Sequence, residues 1–200
     1  MEKLQPQGKN RRQLQAEQTK DRLFTAAIAL LAEKEFEQIT IREIVAAAQV
    51  YIGTFYKYYS TKMEVFYETY RIADHYFSQT VAPTLTQESA LARILAFFDA
   101  YAYYNGDMTD MKMTKLLYNP NNPFFNRRLT SGMPATLISV LRYGLERGEF
   151  VSEDSPEEIA EYLMIATRGL VYNWCTKDGS YHLGTAMRKF IQRLLKAYLP

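Results

Sequence analysis

Cysteine is nearly missing from this chain. Cys175 stands alone among 200 residues, so no intrachain disulfide can form and the fold must be held by packing. Histidine is almost as scarce. His75 and His182 lie far apart, and no third group is placed to orient the pair Cys175 and His182. A nucleophile needs a base and an orienting group, so thiol catalysis has no support. The chain also lacks a Gly-rich phosphate loop and any His/Cys/Asp/Glu spacing suited to a metal. We therefore expect no enzyme, no metal and no cofactor. No apolar run reaches the roughly 18 residues that span a bilayer. The opening segment, MEKLQPQGKNRRQLQAEQTK, has no apolar centre of the signal-peptide kind. The expectation is a cytoplasmic protein without membrane association.

Strand patterns are missing as well, while helical spacing recurs throughout. The reading is an all-α chain of about nine helices. They are expected over residues 17–34, 40–48, 51–58, 61–82, 88–104, 109–118, 124–147, 155–176 and 183–198, the seventh bent at Pro134. Thr40 followed by Glu43 forms a capping-box pattern. Ser155 and Pro156 ahead of acidic residues mark another helix start. Net charge is only +2, but residues 1–62 carry ten Lys/Arg against seven Asp/Glu. The mild excess points to the N-terminal third as the surface that meets a polyanion.

The stretch YIGTFYKYYSTK at 51–62 holds five aromatic residues and a glycine inside a short helix. An interior glycine costs about 1 kcal/mol relative to alanine, so some other requirement must favour it. Residues 40–57 have the layout of a helix-turn-helix: a short helix, a tight turn at Gln49 and Val50, and a second short helix. In that motif the second helix enters the DNA major groove and the first braces it. A residue without Cβ lets the backbone approach a phosphate closely. Thr54, Tyr56, Tyr58 and Lys62 are phosphate donors in this reading, and Tyr51, Thr54 and Lys57 reach bases. Phe55 and Tyr59 turn inward, against Leu23, Ala27 and Ile44. Residues 3–22, with Lys3, Lys9, Arg11, Arg12, Lys20 and Arg22, are expected as a flexible basic arm along DNA.

The stretch from Thr19 to Phe66 resembles the DNA-binding domain of the TetR family of transcriptional regulators. The resemblance rests on Thr40-Ile41, Ile44, Ala48, Val50, Gly53-Thr54-Phe55-Tyr56, Tyr58-Tyr59 and Lys62. It implies that Thr40 binds a phosphate and that Gly53, Thr54, Tyr56, Tyr58 and Lys62 dock the recognition helix. Arg42, on the first helix of the motif, completes the candidate DNA-binding set. Three positions depart from the family pattern. Glu35 replaces a glycine, Gln49 replaces the turn glycine, and Tyr51 replaces a small capping hydroxyl residue. A left-handed backbone at Gln49 would cost roughly 1 kcal/mol.

The resemblance divides the chain into a DNA-binding domain at 1–62 and a helical ligand-binding and dimerisation domain at 63–200. It implies a ligand-responsive regulator, in most cases a repressor, that binds a palindromic double-stranded DNA operator as a homodimer. Ile159, Tyr162, Leu163, Ala166, Gly169, Leu170 and Asn173 are expected on one packed face. Phe190, Ile191, Leu194, Leu195 and Tyr198 form a stripe on the last helix. A small, mostly apolar effector is expected among the middle helices. Its candidate contacts are Phe97, Tyr101, Tyr104, Met108, Tyr118, Phe124, Leu137, Arg168, Tyr172 and Trp174, with Met111, Met113, Phe125 and Met133 nearby. Met and aromatic side chains line adaptable pockets. Arg168 either orients an anionic group or pairs with an acid such as Asp99 or Glu161. The competing reading is a helix-turn-helix protein that has lost DNA binding and acts through protein partners.

Overall fold

The computed structural model describes residues 11–126 and 132–200. Among them there is no strand, and the chain runs through ten α-helical segments. They are α1 (Arg11–Glu33), α2 (Ile41–Ala47), α3 (Ile52–Tyr58), α4 (Lys62–Phe66), α5 (Glu68–Tyr76), α6 (Ala90–Tyr103), α7 (Met111–Leu117), α8 (Met133–Glu146), α9 (Pro156–Thr176) and α10 (Leu183–Leu194). Only Tyr67 separates α4 from α5, and its backbone is itself right-handed helical. Counted as one, they bring the helices of the described residues to nine. None is long and apolar enough to cross a membrane, and no described group of His, Cys, Asp or Glu is placed to hold a metal ion.

The helix starts follow local chemistry. Thr40 accepts from the Glu43 N–H while the Glu43 side chain reaches back to the Thr40 N–H, and Ser155 and Glu158 repeat this reciprocal cap at α9. Each cap satisfies backbone donors that a helix end leaves orphaned. At α10 the cap is His182, whose Nδ1 accepts from the Thr185 N–H at 3.0 Å. Gln49 takes φ 54° in the turn between α2 and α3, so a non-glycine residue does hold the left-handed conformation there. Glu35 has φ −72°, a backbone that needs no glycine.

Residues 1–68 and 69–200 form two compact units. In the first, Leu23, Ala27, Ile39, Ile44, Phe55, Val65 and Phe66 are fully buried and Tyr59 nearly so. The Tyr59 hydroxyl donates to Glu68 Oε1 at 2.8 Å, and Lys20 Nζ lies 3.0 Å from the same oxygen. The end of the recognition helix is thereby tied to α1. In the second unit Phe77, Phe97, Phe98, Ile94, Leu137, Leu141, Val171, Met187 and Ile191 form the core. Asp99 on α6 pairs with Arg188 on α10 at 2.8 Å.

Three expected elements are corrected. The first helix begins at Arg11, so residues 11–22 are helical rather than a flexible arm; residues 1–10, with Lys3 and Lys9, lie outside the described residues. The helix expected from 124 to 147 is the 3₁₀ turn Pro123–Asn126 and, after a gap in the description, α8. Pro134 opens α8 and does not bend it, because the first turn has no partner for the missing N–H. Two π-helical turns, Phe77–Val81 and Tyr104–Met108, extend α5 and α6. Nothing in local spacing announces such turns.

Candidate nucleic-acid interface and effector cavity

The seven residues of α3 have room for one inward face. Phe55 and Tyr59 occupy it, 0 % and 4 % exposed, with ring centroids 5.7 Å apart. The remaining side chains turn outward: Tyr51 is 88 % exposed, Tyr56 57 %, and Lys57 is exposed with its ammonium 5.5 Å from the Tyr58 ring. Tyr51 caps α3 without a side-chain hydrogen bond. Thr54 and Tyr58 are half-buried, and Arg42 is exposed on α2. A Cβ added at Gly53 would meet no atom within 4 Å. Nothing in the unit's own packing therefore calls for glycine at this helical position. Beside α3, Arg12, Gln15, Thr19 and Arg22 of α1 face Lys57 and Tyr58 across an open groove.

Thr40 and Lys62 are exposed or half-exposed but already engaged. The Thr40 hydroxyl and N–H both donate to Glu43 Oε2, at 2.8 and 2.9 Å. Lys62 Nζ donates to the carbonyls of Phe36, Ile39 and Glu37 at 2.6, 2.8 and 3.3 Å and sits 4.2 Å from the Phe36 ring centroid. Three acceptors use the three protons of an ammonium. In this structure Lys62, expected on a phosphate, pins the turn before α2 to the start of α4. Thr40 has no proton to offer a phosphate while the capping box is closed.

Lys34, hydrogen-bonded to Glu43 Oε1 at 2.5 Å, and then Thr40 hold the Glu43 carboxyl down at about 2, from an ordinary 4.5. A carboxylate depressed by folding contributes stability above its unfolded pKa and loses it as pH falls through the folded value. The first unit should therefore lose thermal stability between pH 4.5 and pH 2. Glu43→Gln should be less stable at pH 7 and show a smaller loss over that interval. Thermal melts of both proteins across the range check this.

The second unit holds a cavity of ≈ 60 Å³, enough for a few waters at roughly 10–15 Å³ each in this measure. Thr69, Tyr70, Ala73 and Asp74 of α5 form one wall, and Tyr101, Tyr104 and Asn105 a second. Leu117, Tyr118, Phe124, Phe125, Met133, Pro134, Met164 and Arg168 complete it. Its polar groups are linked. Tyr118 donates its hydroxyl proton to Asn105 Oδ1 at 2.9 Å, so its oxygen accepts from the Tyr101 hydroxyl at 2.6 Å. Burial pushes both phenols above their usual range. The Tyr104 hydroxyl donates to the Thr69 carbonyl at 2.9 Å. Tyr70 stacks on Phe124 at 4.4 Å, and Asn122 Nδ2 donates to Tyr70 and to the Leu117 carbonyl. The Arg168 guanidinium donates to the carbonyls of Phe125 and Met164, at 2.9 and 3.1 Å, and lies 5.0 Å from the Phe125 ring.

Residues 23–69 match the family model described as bacterial regulatory proteins, tetR family. The chain carries a TetR-family DNA-binding domain. The TetR-type fold extends across both units. The transcriptional regulator FadR of Bacillus subtilis in complex with stearoyl-CoA aligns at TM-score 0.69 and 18% identity, covering 87% of this chain and 96% of its own. The Thermus thermophilus FadR repressor with lauroyl-CoA aligns at 0.71 and 19%, covering 90% and 95%. NalD, the secondary repressor of a Pseudomonas aeruginosa multidrug efflux pump, aligns at 0.61 and 15%, covering 92% and 98%. None of the curated protein sequences compared with the chain matches it.

Of the expected effector contacts, Tyr101, Tyr104, Tyr118, Phe124 and Arg168 come together in the cavity wall. The other five do not. Phe97 and Leu137 are fully buried in the core, and Trp174 is buried with its indole N–H on the Tyr181 carbonyl at 2.8 Å. Met108 and Tyr172 are exposed. Their side chains lie on other sides of their helices, which spacing alone does not orient. Of the nearby residues named with them, Phe125 and Met133 do line the wall. The α5 wall was missed, although Thr69, Tyr70, Ala73 and Asp74 share one helical face at spacings of one, four and five. Arg168 pairs with neither acid considered for it; its bonds go to carbonyls, and Asp99 is held by Arg188.

Proposed function

We propose that this protein is a ligand-responsive transcriptional regulator, a repressor, that binds a palindromic DNA operator as a homodimer. One observation carries the DNA reading. Gly53 lies in α3 with open space where its Cβ would be, flanked by the exposed Tyr51, Tyr56 and Lys57. Glycine is a poor helix former, and here it brings no internal packing gain. A partner that must approach the backbone closely, as a phosphate strand does when a helix enters the major groove, supplies the missing reason.

Gly53→Ala should keep or raise thermal stability and lower operator affinity at least about ten-fold, which is about 1.4 kcal/mol. Duplexes enriched from a random library and assayed at two salt concentrations test both claims. Phosphate-driven binding falls steeply with salt, and palindromic half-sites should repeat on one face, near a multiple of 10–10.5 bp. Unchanged affinity in Gly53→Ala would remove the argument.

The same logic supports the dimer. Gly169 lies mid-helix in α9, exposed, with nothing within 4 Å of an added Cβ. On its face Tyr162, Ile165 and Tyr172 are 54 %, 52 % and 53 % exposed, at spacings of three and seven about Ile165. This row suits a second copy of the chain. The expected face of α9 divides, because Ile159 and Leu163 are buried within the unit.

The cavity supports control by a small, mostly apolar molecule. Six of its sixteen lining residues are aromatic, with Arg168 and the tyrosine hydroxyls as the orienting groups. At its present volume an effector must part the walls, and it then shifts the protein only by its differential affinity for the open form.

A further inference from the structure

We propose that Ile52 reads a thymine methyl group in the operator, with Tyr51 beside it, and is a specificity-determining residue of this chain. The inference rests on the DNA reading above and goes one step further, to what the helix recognises. Ile52 opens α3 and is 45 % exposed, next to Tyr51 at 88 % and four residues before Tyr56 at 57 %. Residues four apart share a helical face, so Ile52 and Tyr56 form an apolar ridge beside the Tyr51 ring. Helix α3 seats itself through the fully buried Phe55, on the flank of that ridge. Close to half of the Ile52 surface stays open to solvent.

The chemistry of the major groove narrows what the ridge can meet. Each base pair shows hydrogen-bond donors and acceptors there, and thymine alone adds an apolar group, its C5 methyl. Guanine is read best by a bidentate Arg or Lys, adenine by Asn or Gln. Residues 51–58 contain no Arg, Asn or Gln, and Lys57 is their one charged side chain. Laid over a donor or acceptor edge, Ile52 would strip that edge of water and return no hydrogen bond, which is unfavourable. Over a thymine methyl it meets its own kind. The open space at Gly53 lets the adjoining backbone settle deep enough for the short Ile52 side chain to reach.

The test uses the full chain and the duplex it enriches most strongly from a random library. Each thymine of one half-site is replaced in turn by uracil, which removes the methyl and keeps the pairing. At one or two positions the wild type should lose about four-fold in affinity, the effect of one buried methyl. Ile52→Ala should bind the thymine and uracil duplexes equally at one of those positions, and Ile52→Val should keep part of the difference. Alanine is the better helix former, which offsets the partial burial lost, so the variant should stay folded and melt close to the wild type. Cytosine replaced by 5-methylcytosine at the same position should bind tighter to the wild type only. Wild type indifferent to uracil at every position, or Ile52→Ala keeping the full preference, overturns the proposal. Failure to enrich any duplex is a different result and overturns the DNA reading together with it.

Discussion

Ile165→Glu should sediment as a monomer at micromolar concentration while keeping its helical content. Ile165 is half exposed, between Tyr162 and Tyr172 and one turn from Gly169. Its side chain contributes little to the core of its own unit, so the monomer should fold. In a two-fold contact each patch meets itself, and the new carboxylate would face its own copy near the centre of the interface. Like charges brought together and desolvated there cost several kcal/mol. Operator affinity should fall with dimerisation. Linking two DNA-binding modules raises affinity by about 10²–10⁴ over one module alone, and a monomer forfeits that gain. Met108→Glu is the matched control, at an apolar residue of similar exposure outside that row; it should remain dimeric. A dimeric Ile165→Glu would assign the interface elsewhere.

Phe97→Ala should destabilise the second unit by about 3–5 kcal/mol, the range for large-to-small changes at buried aromatics. Phe97 is fully buried, with ring centroids 5.0 Å from Phe77 and 5.1 Å from Phe98. Truncation removes both contacts and leaves a void that close-packed neighbours fill only in part. At about 2–4 °C per kcal/mol the melting temperature should drop by roughly 10 °C. Met108→Ala, at an exposed position, should stay within about 0.5 kcal/mol. The pair separates core from surface. Tyr101→Phe would instead break the hydroxyl chain through Tyr118 to Asn105 with the ring kept in place.

The residues sort by the range of the forces that place them. The helix-turn-helix, the capping box at Thr40, the helix start at Ser155, and the inward turn of Phe55 and Tyr59 were legible in the sequence. Each depends on groups three or four residues apart on one helix, and those spacings are written in the chain. The left-handed turn at Gln49 was suggested by the resemblance alone, through the glycine that the family pattern places there. Lys62 was not. Its ammonium bonds carbonyls 23 to 26 residues earlier in the chain, and no local rule tells a lysine bound to phosphate from one bound to a turn. Arg168 reaches back 43 residues to Phe125 in the same way.

By itself, the sequence determined an all-helical chain, where its capped helices begin, and which short helix presents exposed aromatic residues. Only the tertiary structure decided which aromatic residues pack and which line a cavity. Phe97 and Tyr101 are four apart on α6, yet one is core and the other cavity wall. It also decided that α5 supplies a wall, and that α9 turns Ile159 and Leu163 inward and Tyr162 and Ile165 out. Helical periodicity states that residues share a face. What the face meets depends on side chains far away in the chain, and close packing between elements settles it.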